Sequence, residues 1–320
     1  MPRSTEAPSL IPERDRLAGD LTVAVVGHRR DGHARSLIKR LDTLGARASF
    51  VELSASTFST LHPSGLALPG FDSRLPDGVI VRAIAAGSFE AVTRRLGVLH
   101  ALREEGVLVW NDARAIERCV DKSMTTFLIA RNGLPTPQTW TVEGRAEALR
   151  IARRETLQGP LVLKPLFGSQ GRGLRLIRSA RDLPEDSAVA SVYYLQRFVG
   201  GVGPEHSDFR VLVSHGKIVA AMRRHAAHWI TNVKQGGRPE AVELDETLAQ
   251  LAIRSTAAVE ADFAGVDILL ASDGKPYVLE VNSMPAWRGL QSVSGSDIAE
   301  TIAQDFLNVL HERVLGRRTA

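Results

Sequence analysis

The stretch "GVDILLASDGKPYVLEVN" (residues 265–282) constrains this chain most, because Asp273-Gly274 separates two β-rich runs. An Asp-Gly pair in that setting is a strong hairpin signal, since both central residues of a type I′ turn need positive φ. If those two residues form the loop, Ser272 faces Lys275 and, counting back, Asp267 faces Glu280. Like charges directly opposed on a sheet are destabilising. Packing does not call for them, because Ile268, Leu270, Leu279 and Val281 are expected to supply the buried face. A divalent cation between the carboxylates turns the repulsion into a site. Asn282, two residues past Glu280, adds a third oxygen from the same face. An oxygen-only set suits Mg2+ or Mn2+, completed by substrate phosphates. The competing reading is a solvated polar face.

A second hairpin is expected in "SDFRVLVSHGKIVAAMRRH", with His215-Gly216 at its tip. The same counting puts Asp208 across from Arg223, with Arg210 on the same face as Asp208. Taken alone, that is a surface ion pair worth ~0.5 kcal/mol. His225 and His228 lack a third nitrogen or sulfur ligand nearby, so zinc is not expected there. The run "RRHAAHW" is the best nucleic-acid candidate, but one basic patch with an aromatic is more simply a solvated face or a phosphate contact.

Upstream the organisation differs. "LTVAVVG", "RASFVEL", "GVIVRAI" and "VLVWND" read as strands. Between them lie a helical segment with Leu37, Ile38, Leu41 and Leu44 at helical spacing, and a second one capped by Ser88. Strand–helix alternation argues a small parallel sheet covered on both faces. From about residue 114 the pattern turns helical, with a split near Asp121, followed by the short helix "EALRIARRE". The strands "PLVLKPL", "GLRLIRS" and "VYYLQRFV" come next, and "GGVGPEHS" reads as a joint. The remainder reads as antiparallel hairpins plus one amphipathic helix with Leu248, Leu251, Ala252 and Val259 on a stripe. At 320 residues the chain can hold two or three cores. Its longest promising apolar run is a strand's length, so no membrane span is expected. Cys119 is the only cysteine, which excludes an intramolecular disulfide and a cysteine metal cage. The first twenty residues carry three prolines and no apolar segment, which reads as a loose leader, and the cytoplasm is the expected compartment.

The stretch "GPLVLKPLFGSQGRG" (residues 159–173) sets a lysine on an apolar strand directly before a loop with three glycines. Only six of the 40 basic residues are lysine, and Lys122 and Lys164 are two of them. A compact ammonium retained where arginine is the habit draws attention, because the two side chains do different jobs. The loop is either a plain turn or a cradle for an anion. It is neither a Walker loop nor a dinucleotide fingerprint, because "GSQGRG" leads into a strand and not a helix.

Together, "VLKPLFGSQGRGL", "AGVDILLASDGKPYVLEVNSMP" and "NDARAIERCVDKSMTTFLIARNGLPTPQT" resemble the ATP-grasp superfamily, and within it the RimK-type glutamate ligases, over residues 20 to 310 or so. The resemblance implies an ATP-grasp fold of mixed α/β and α+β class. It divides the chain into a leader (1–19), an N-terminal α/β domain (20–113), a central lid domain (114–200) and a C-terminal domain with the metal site (201–315). It further implies that Lys122 and Lys164 neutralise ATP phosphates, and that Ser169, Gln170, Gly171, Arg172 and Gly173 form a mobile flap over them. Gln196, Arg197, Phe198 and Val199 match the hinge that holds adenine, and Asp208 falls at the place of a ribose-contacting acid. Asp267, Glu280 and Asn282 match ligands of two magnesium ions, in agreement with the hairpin counting. Arg210, Arg223 and Asn232 become candidates for stabilising the transferring phosphoryl group or the intermediate. Arg82 matches an arginine that faces the substrate cleft, where it could grip a carboxylate.

The implied reaction is carboxylate–amine ligation through an acyl phosphate, with ADP and phosphate released. Glutamate is the expected amino acid, and the acceptor is a carboxylate-bearing coenzyme or a protein or carrier tail. Ile230 in "WITN" departs from the pattern, since many relatives carry arginine there; Arg223 or Arg224 is expected to substitute. Two other outcomes stay open: a dipeptide or glutathione-synthetase-like ligase, and a nucleotide-binding sensor without catalysis. A nucleic-acid or membrane partner is not expected, and a homo-oligomer is left open.

Overall fold

The computed structural model describes residues 21–71, 74–168, 170–200 and 206–318. The leader, Ser169 and most of the expected joint (201–205) lie outside the described residues. The chain forms two compact units, one running up to Trp110 and resuming at Ile302, the other spanning Asn111–Thr301.

The first unit opens with β1 (Thr22–Val26), α1 (Gly32–Thr43) and β2 (Arg47–Val51). A minor hairpin, β3 (Thr57–Phe58) with β4 (Leu66–Ala67), lies within the long loop. Then follow β5 (Gly78–Val81), α2 (Phe89–Glu104) and β6 (Leu108–Trp110). The sheet runs β2-β1-β5-β6, parallel throughout. As expected of strands hidden on both faces, β5 and β6 are buried along their length. Asp31 and Ser88 cap the two helices through their side chains, accepting from His33 N and Ala91 N.

The second unit begins with α3 (Ala113–Val120) and α4 (Lys122–Arg131). Asp121 separates them, and its carboxylate accepts from Ser123 N and Met124 N at the start of α4. Next come β7 (Thr139–Glu143), α5 (Arg145–Glu155), β8 (Leu161–Lys164), β9 (Arg175–Ile177) and β10 (Val192–Arg197). Their antiparallel sheet has the order β7-β10-β8-β9, and Ala148, Ile151 and Ala152 of α5 pack on Leu161, Leu163 and Leu195.

The rest comprises β11 (His206–Ser214), β12 (Lys217–Ala226), β13 (Arg238–Ala241), α6 (Glu246–Ala258), β14 (Phe263–Leu270), β15 (Pro276–Asn282), α7 (Arg288–Gln291) and α8 (Ile298–Arg318). The sheet order is β13-β12-β11-β14-β15. Leu248, Leu251, Ala252 and Val259 of the expected stripe pack on it, together with Ile129 of α4. Asn111 ties this sheet to the start of the unit: its amide donates to Phe263 O and Ser283 O and accepts from Asp262 N and Phe263 N. All four bonds of a fully buried amide are thereby made.

Three expectations about this region are corrected. The Asp208 hairpin keeps its tip, with Ser214 opposite Lys217, but a bulge at Leu212/Val213 shifts the ladder by one residue. Asp208 therefore faces Arg224, and Arg223 faces Phe209. In the last hairpin Leu270 is 36% exposed and Leu279 only partly buried, while Val278 takes the core position at 1%. Finally, a long helix follows the hairpins. Trp110 and Phe306 meet edge-on in the first unit, ring centroids 5.6 Å apart. Among the described residues, no helix is long and apolar enough to cross a membrane.

Candidate active site

Strand β8 delivers Lys164 beside β10, with its ammonium 5.9 Å from the Tyr194 ring centroid. Burial is the main reason its pKa falls to about 8, aided by the Lys122 charge and opposed by Glu280 and Asp267. Lys122, first residue of α4, donates from Nζ to Leu166 O at 3.2 Å and Gly168 O at 2.9 Å. Its pKa is also lowered by burial, with Glu280 and Asp121 pulling the other way. Two ammonium groups 42 positions apart in sequence thus converge under the glycine loop.

That loop is held against the segment after β12. Gln170 and Gly171 both have positive φ, 65° and 71°. Gln235 Nε2 donates to Gln170 O at 3.4 Å, and Gly171 lies close to Asn232 and Ile230. Gln170, Gly171 and Arg172 line a cavity of about 250 Å3, which Lys122, Lys164 and Asn232 also line; Gly173 does not.

The end of β10 forms another wall through Gln196, Arg197, Phe198 and Val199. Gln196 is fully buried, donating to Thr139 Oγ1 and Tyr194 OH. The Arg197 guanidinium turns to the end of α5: Nη2 bonds Glu155 Oε2 at 2.8 Å, and Nη1 donates to Glu155 O and Gly159 O. The Arg197 and Phe198 amides donate to Gln138 O and Pro160 O. Phe198 meets Trp229, also at the cavity, edge-on at 5.9 Å.

At the opposite end lies a buried chain of charges. Arg224 grips both oxygens of Asp208, with Nε–Oδ1 at 2.7 Å and a shorter contact from Nη2 to Oδ2. Its Nη2 is also 3.1 Å from Asp267 Oδ1. Arg210 takes Asp267 from behind, with Nη2–Oδ2 at 2.9 Å and Nε–Oδ1 at 2.5 Å. Burial works against the Arg224 charge, but Asp267 and Asp208 outweigh it and hold its pKa above the ordinary guanidinium value. This is no surface ion pair: Asp208 is 4% exposed and Arg224 3%.

Asp267 faces Glu280 across β14 and β15, and both line the cavity. Among the described residues Glu280 has no hydrogen-bond or ion-pair partner, while both lysines feel its charge. Asn282 lies opposite Gly265 on the same strand, and its Oδ1 accepts from Met284 N at 3.0 Å. No cluster of three His, Cys, Asp or Glu side chains suited to a metal occurs among the described residues. The opposed carboxylates with a neighbouring amide nevertheless fit a hard divalent cation, which prefers oxygen donors and accepts few protein ligands.

Arg223 does not join this group: it is exposed, hydrogen-bonded to Ser207 Oγ and stacked on Phe209. Arg82, in the first unit, is 4% exposed, and burial lowers its pKa to about 10 against the pull of Asp31. Arg224 and Trp229 are the cavity residues the sequence ranks too low. Both stand in the basic run after β11, where only the bulge decides which arginine points inward. The Cys119 thiol, pushed up to about 12 mainly by burial, is unsuited to nucleophilic work.

Two antiparallel sheets around such a cavity define an ATP-grasp fold, and solved structures agree. The ATP-grasp ligase PsnB, complexed with its minimal precursor, superposes with a TM-score of 0.70 at 22% identity, covering 92% of this chain and 99% of that one. Residues 119–306 match the RimK-like ATP-grasp domain. A tetrahydromethanopterin:alpha-L-glutamate ligase of Methanococcus maripaludis is 36% identical over 215 residues, 65% of this chain and 72% of the relative. A probable alpha-L-glutamate ligase of Syntrophotalea carbinolica is 32% identical over 259 residues, 78% of this chain and 80% of the relative. The chain belongs to the RimK-like ATP-grasp family, whose chemistry is ATP-dependent carboxylate–amine ligation.

Proposed function

We propose that the protein uses Mg-ATP to join L-glutamate to the carboxylate of a small coenzyme-like acceptor. One observation carries this reading: two pKa-lowered lysines and two opposed carboxylates share one cavity under a glycine-rich loop. The coenzyme acceptor rests on the likeness to the tetrahydromethanopterin:alpha-L-glutamate ligase. In the reaction, the γ-phosphoryl group passes to the acceptor carboxylate, the glutamate amine attacks the acyl carbon, and ADP and phosphate leave.

Lys122 and Lys164 neutralise phosphate oxygens, and contact with that charge favours their protonated forms against the effect of burial. Lys122 exchanges the Leu166 and Gly168 carbonyls for phosphate. The Gln170–Gly173 backbone covers the phosphates with its N–H groups. Adenine lies along Arg197 to Val199; since the first two amides are already bonded, the Val199 N–H is the donor for its edge. Asp267, Glu280 and Asn282 would hold magnesium, in two ions, which would supply charge neutralisation on the phosphates. Asn232 steadies the transferring group from the segment facing the flap, and Arg210 acts through Asp267. Arg82 is assigned a substrate carboxylate as its partner, which a bidentate guanidinium suits. No covalent nucleophile is required, because positioning and charge neutralisation carry phosphoryl transfer.

The test is an assay of purified protein with Mg-ATP, glutamate and a fractionated small-molecule extract. ADP release with a glutamyl mass gain on one acceptor is expected. Nucleotide binding without turnover over a broad acceptor panel would favour a sensor and sink the ligase reading.

A further inference from the structure

The two lysines of the cavity stand on different elements, yet one side chain reaches both. Alternate residues of β10 point to opposite faces of the sheet. Tyr193 and Leu195 enter the core with α5, while Tyr194 and Gln196 turn the other way. Lys164 lies directly across from Tyr194 in the β8–β10 ladder, and its ammonium sits 5.9 Å from the ring centroid. The Tyr194 hydroxyl accepts from Gln196 Nε2 at 3.1 Å and shares a hydrogen bond with Thr126 Oγ1 at 2.6 Å. Thr126 stands one turn after Lys122 on α4, so the two side chains leave the same face of that helix.

Resting on the nucleotide reading of the cavity, we infer that Tyr194 is a positioning residue for the two lysines. Its hydroxyl ties the helix that begins at Lys122 to the strand pair that carries Lys164, and thereby sets the separation of the ammonium groups. Tyr194 is 1% exposed and does not line the cavity, so it acts through its neighbours and touches no ligand. A tie is needed because the two cations repel and burial strips both of water. Each also ends a flexible four-carbon stem. A carboxylate in this place would hold them but compete with a phosphate for their charge. A ring face and neutral hydroxyls hold the pair and leave the charge for the ligand. Tyr194 stays neutral in that role, since burial above all pushes its hydroxyl up to about 12. A second connection closes the circuit: Lys122 Nζ donates to Leu166 O and Gly168 O, just past the end of β8. Phosphate exchanges those carbonyls for its own oxygens. Among the described residues, Thr126–Tyr194 is then the one side-chain hydrogen bond left between α4 and the sheet of Lys164.

The experiment measures equilibrium binding of Mg-ADP, and of adenosine, which carries no phosphate and is followed by ligand-observed NMR. Wild type is compared with Tyr194→Phe, Thr126→Val, the two combined, and Thr126→Ser. Tyr194→Phe keeps the ring and loses only the hydroxyl, and Thr126→Val keeps the branched shape. Each should weaken Mg-ADP by about threefold to tenfold, the scale of one hydrogen bond, while adenosine stays at its wild-type affinity. The double variant should lose no more than either single one, because both remove the same bond. Thr126→Ser restores the hydroxyl and should bind Mg-ADP like wild type. Equal weakening of Mg-ADP and adenosine would make Tyr194 a structural support of the cavity wall and overturn the assignment. Losses that add in the double variant would overturn it too. If Tyr194→Phe does not fold, Thr126→Val against Thr126→Ser, at a partly exposed position, reads the same bond. A wild type that binds neither probe removes the cavity reading and this assignment together. A wild type that binds Mg-ADP, with variants that match it, removes the assignment alone.

Discussion

Asp267 and Glu280 face each other because two irregularities in their hairpin cancel. At the tip, Ala271 N bonds Lys275 O at 2.9 Å, so three residues, not two, form the loop, with Gly274 at φ 80°. That offset is undone between Asp267 and Ile268, where the ladder shifts and Leu279 becomes the extra residue. The bulge also turns Leu279 and Glu280 toward the cavity while Val278 and Val281 stay in the core. A bulge beside a functional carboxylate is a familiar way to aim a side chain.

Glu280→Gln tests that carboxylate. Asp267 is compensated by two arginines, whereas Glu280 has no direct partner among the described residues, so the fold should tolerate the change. Thermal midpoints should agree within a few degrees, and ADP release at limiting Mg2+ should fall by about 10²–10³, the scale of losing one charge-stabilising group. Wild-type activity at limiting Mg2+ would remove Glu280 from the metal site.

Lys164 should make stability rise with pH on the alkaline side. Its folded pKa of about 8 lies below the ordinary lysine value of 10.5, so between them the unfolded chain binds the proton that the folded chain has released. Urea midpoints of the nucleotide-free protein should therefore climb from pH 8 to pH 10. Lys164→Met should raise stability at pH 7 and flatten the slope, by at most about 3 kcal/mol. A midpoint that falls equally in both proteins over that window would contradict the assignment.

Glu155 anchors Arg197 at the end of β10, beside the cavity. Its buried carboxylate takes Arg197 Nη2 at 2.8 Å and Arg154 Nε at 2.6 Å. Glu155→Ala leaves the Arg197 charge without its partner carboxylate, at a cost of about 3–5 kcal/mol for a broken buried pair. Because the Arg197 and Phe198 backbone lines the cavity, nucleotide affinity should fall along with stability in urea titrations. Loss of stability with unchanged affinity would separate the hinge from the binding wall.

What the sequence revealed depended on whether a local signal existed. The opposed pair of Asp267 and Glu280 was legible because alternation and a turn dipeptide bracket it, although the count succeeded through compensating offsets. The partner of Asp208 was not, since the bulge at Leu212/Val213 sits among apolar residues with no glycine or proline to mark it. The destination of the Arg197 guanidinium could not be read, because its partner, Glu155, belongs to a helix 42 positions earlier. The last helix had a signal, with Ile298, Ile302, Phe306 and Leu310 at i,i+4 spacing, all buried. Its pairing with the first sheet is a tertiary fact that no local pattern encodes. Lys122 and Lys164 belonged together only through the family resemblance.

The glycine loop before β9 supplies the last prediction. Gly171 has φ 71°, and a Cβ there would stand 2.5 Å from Asn232 Oδ1 and 2.7 Å from Ile230 Cγ2. Left-handed backbone costs a residue with a side chain ~1–2 kcal/mol, and the contact forces the loop outward. Gly168 sits in the same loop without positive φ, and its Cβ would make an ordinary 3.4 Å contact with Pro165. Gly171→Ala should thus lower the thermal midpoint by only a few degrees but lower ADP release more than about tenfold, since a loop held open admits water and misplaces its N–H donors. Proteolysis of the loop should stay fast in Gly171→Ala with nucleotide present, while wild type and Gly168→Ala become protected. If the two alanine variants behave alike, the flap does not close on the Ile230–Asn232 segment. The close approach of Gly171 to Asn232 would then be a packing detail without bearing on turnover.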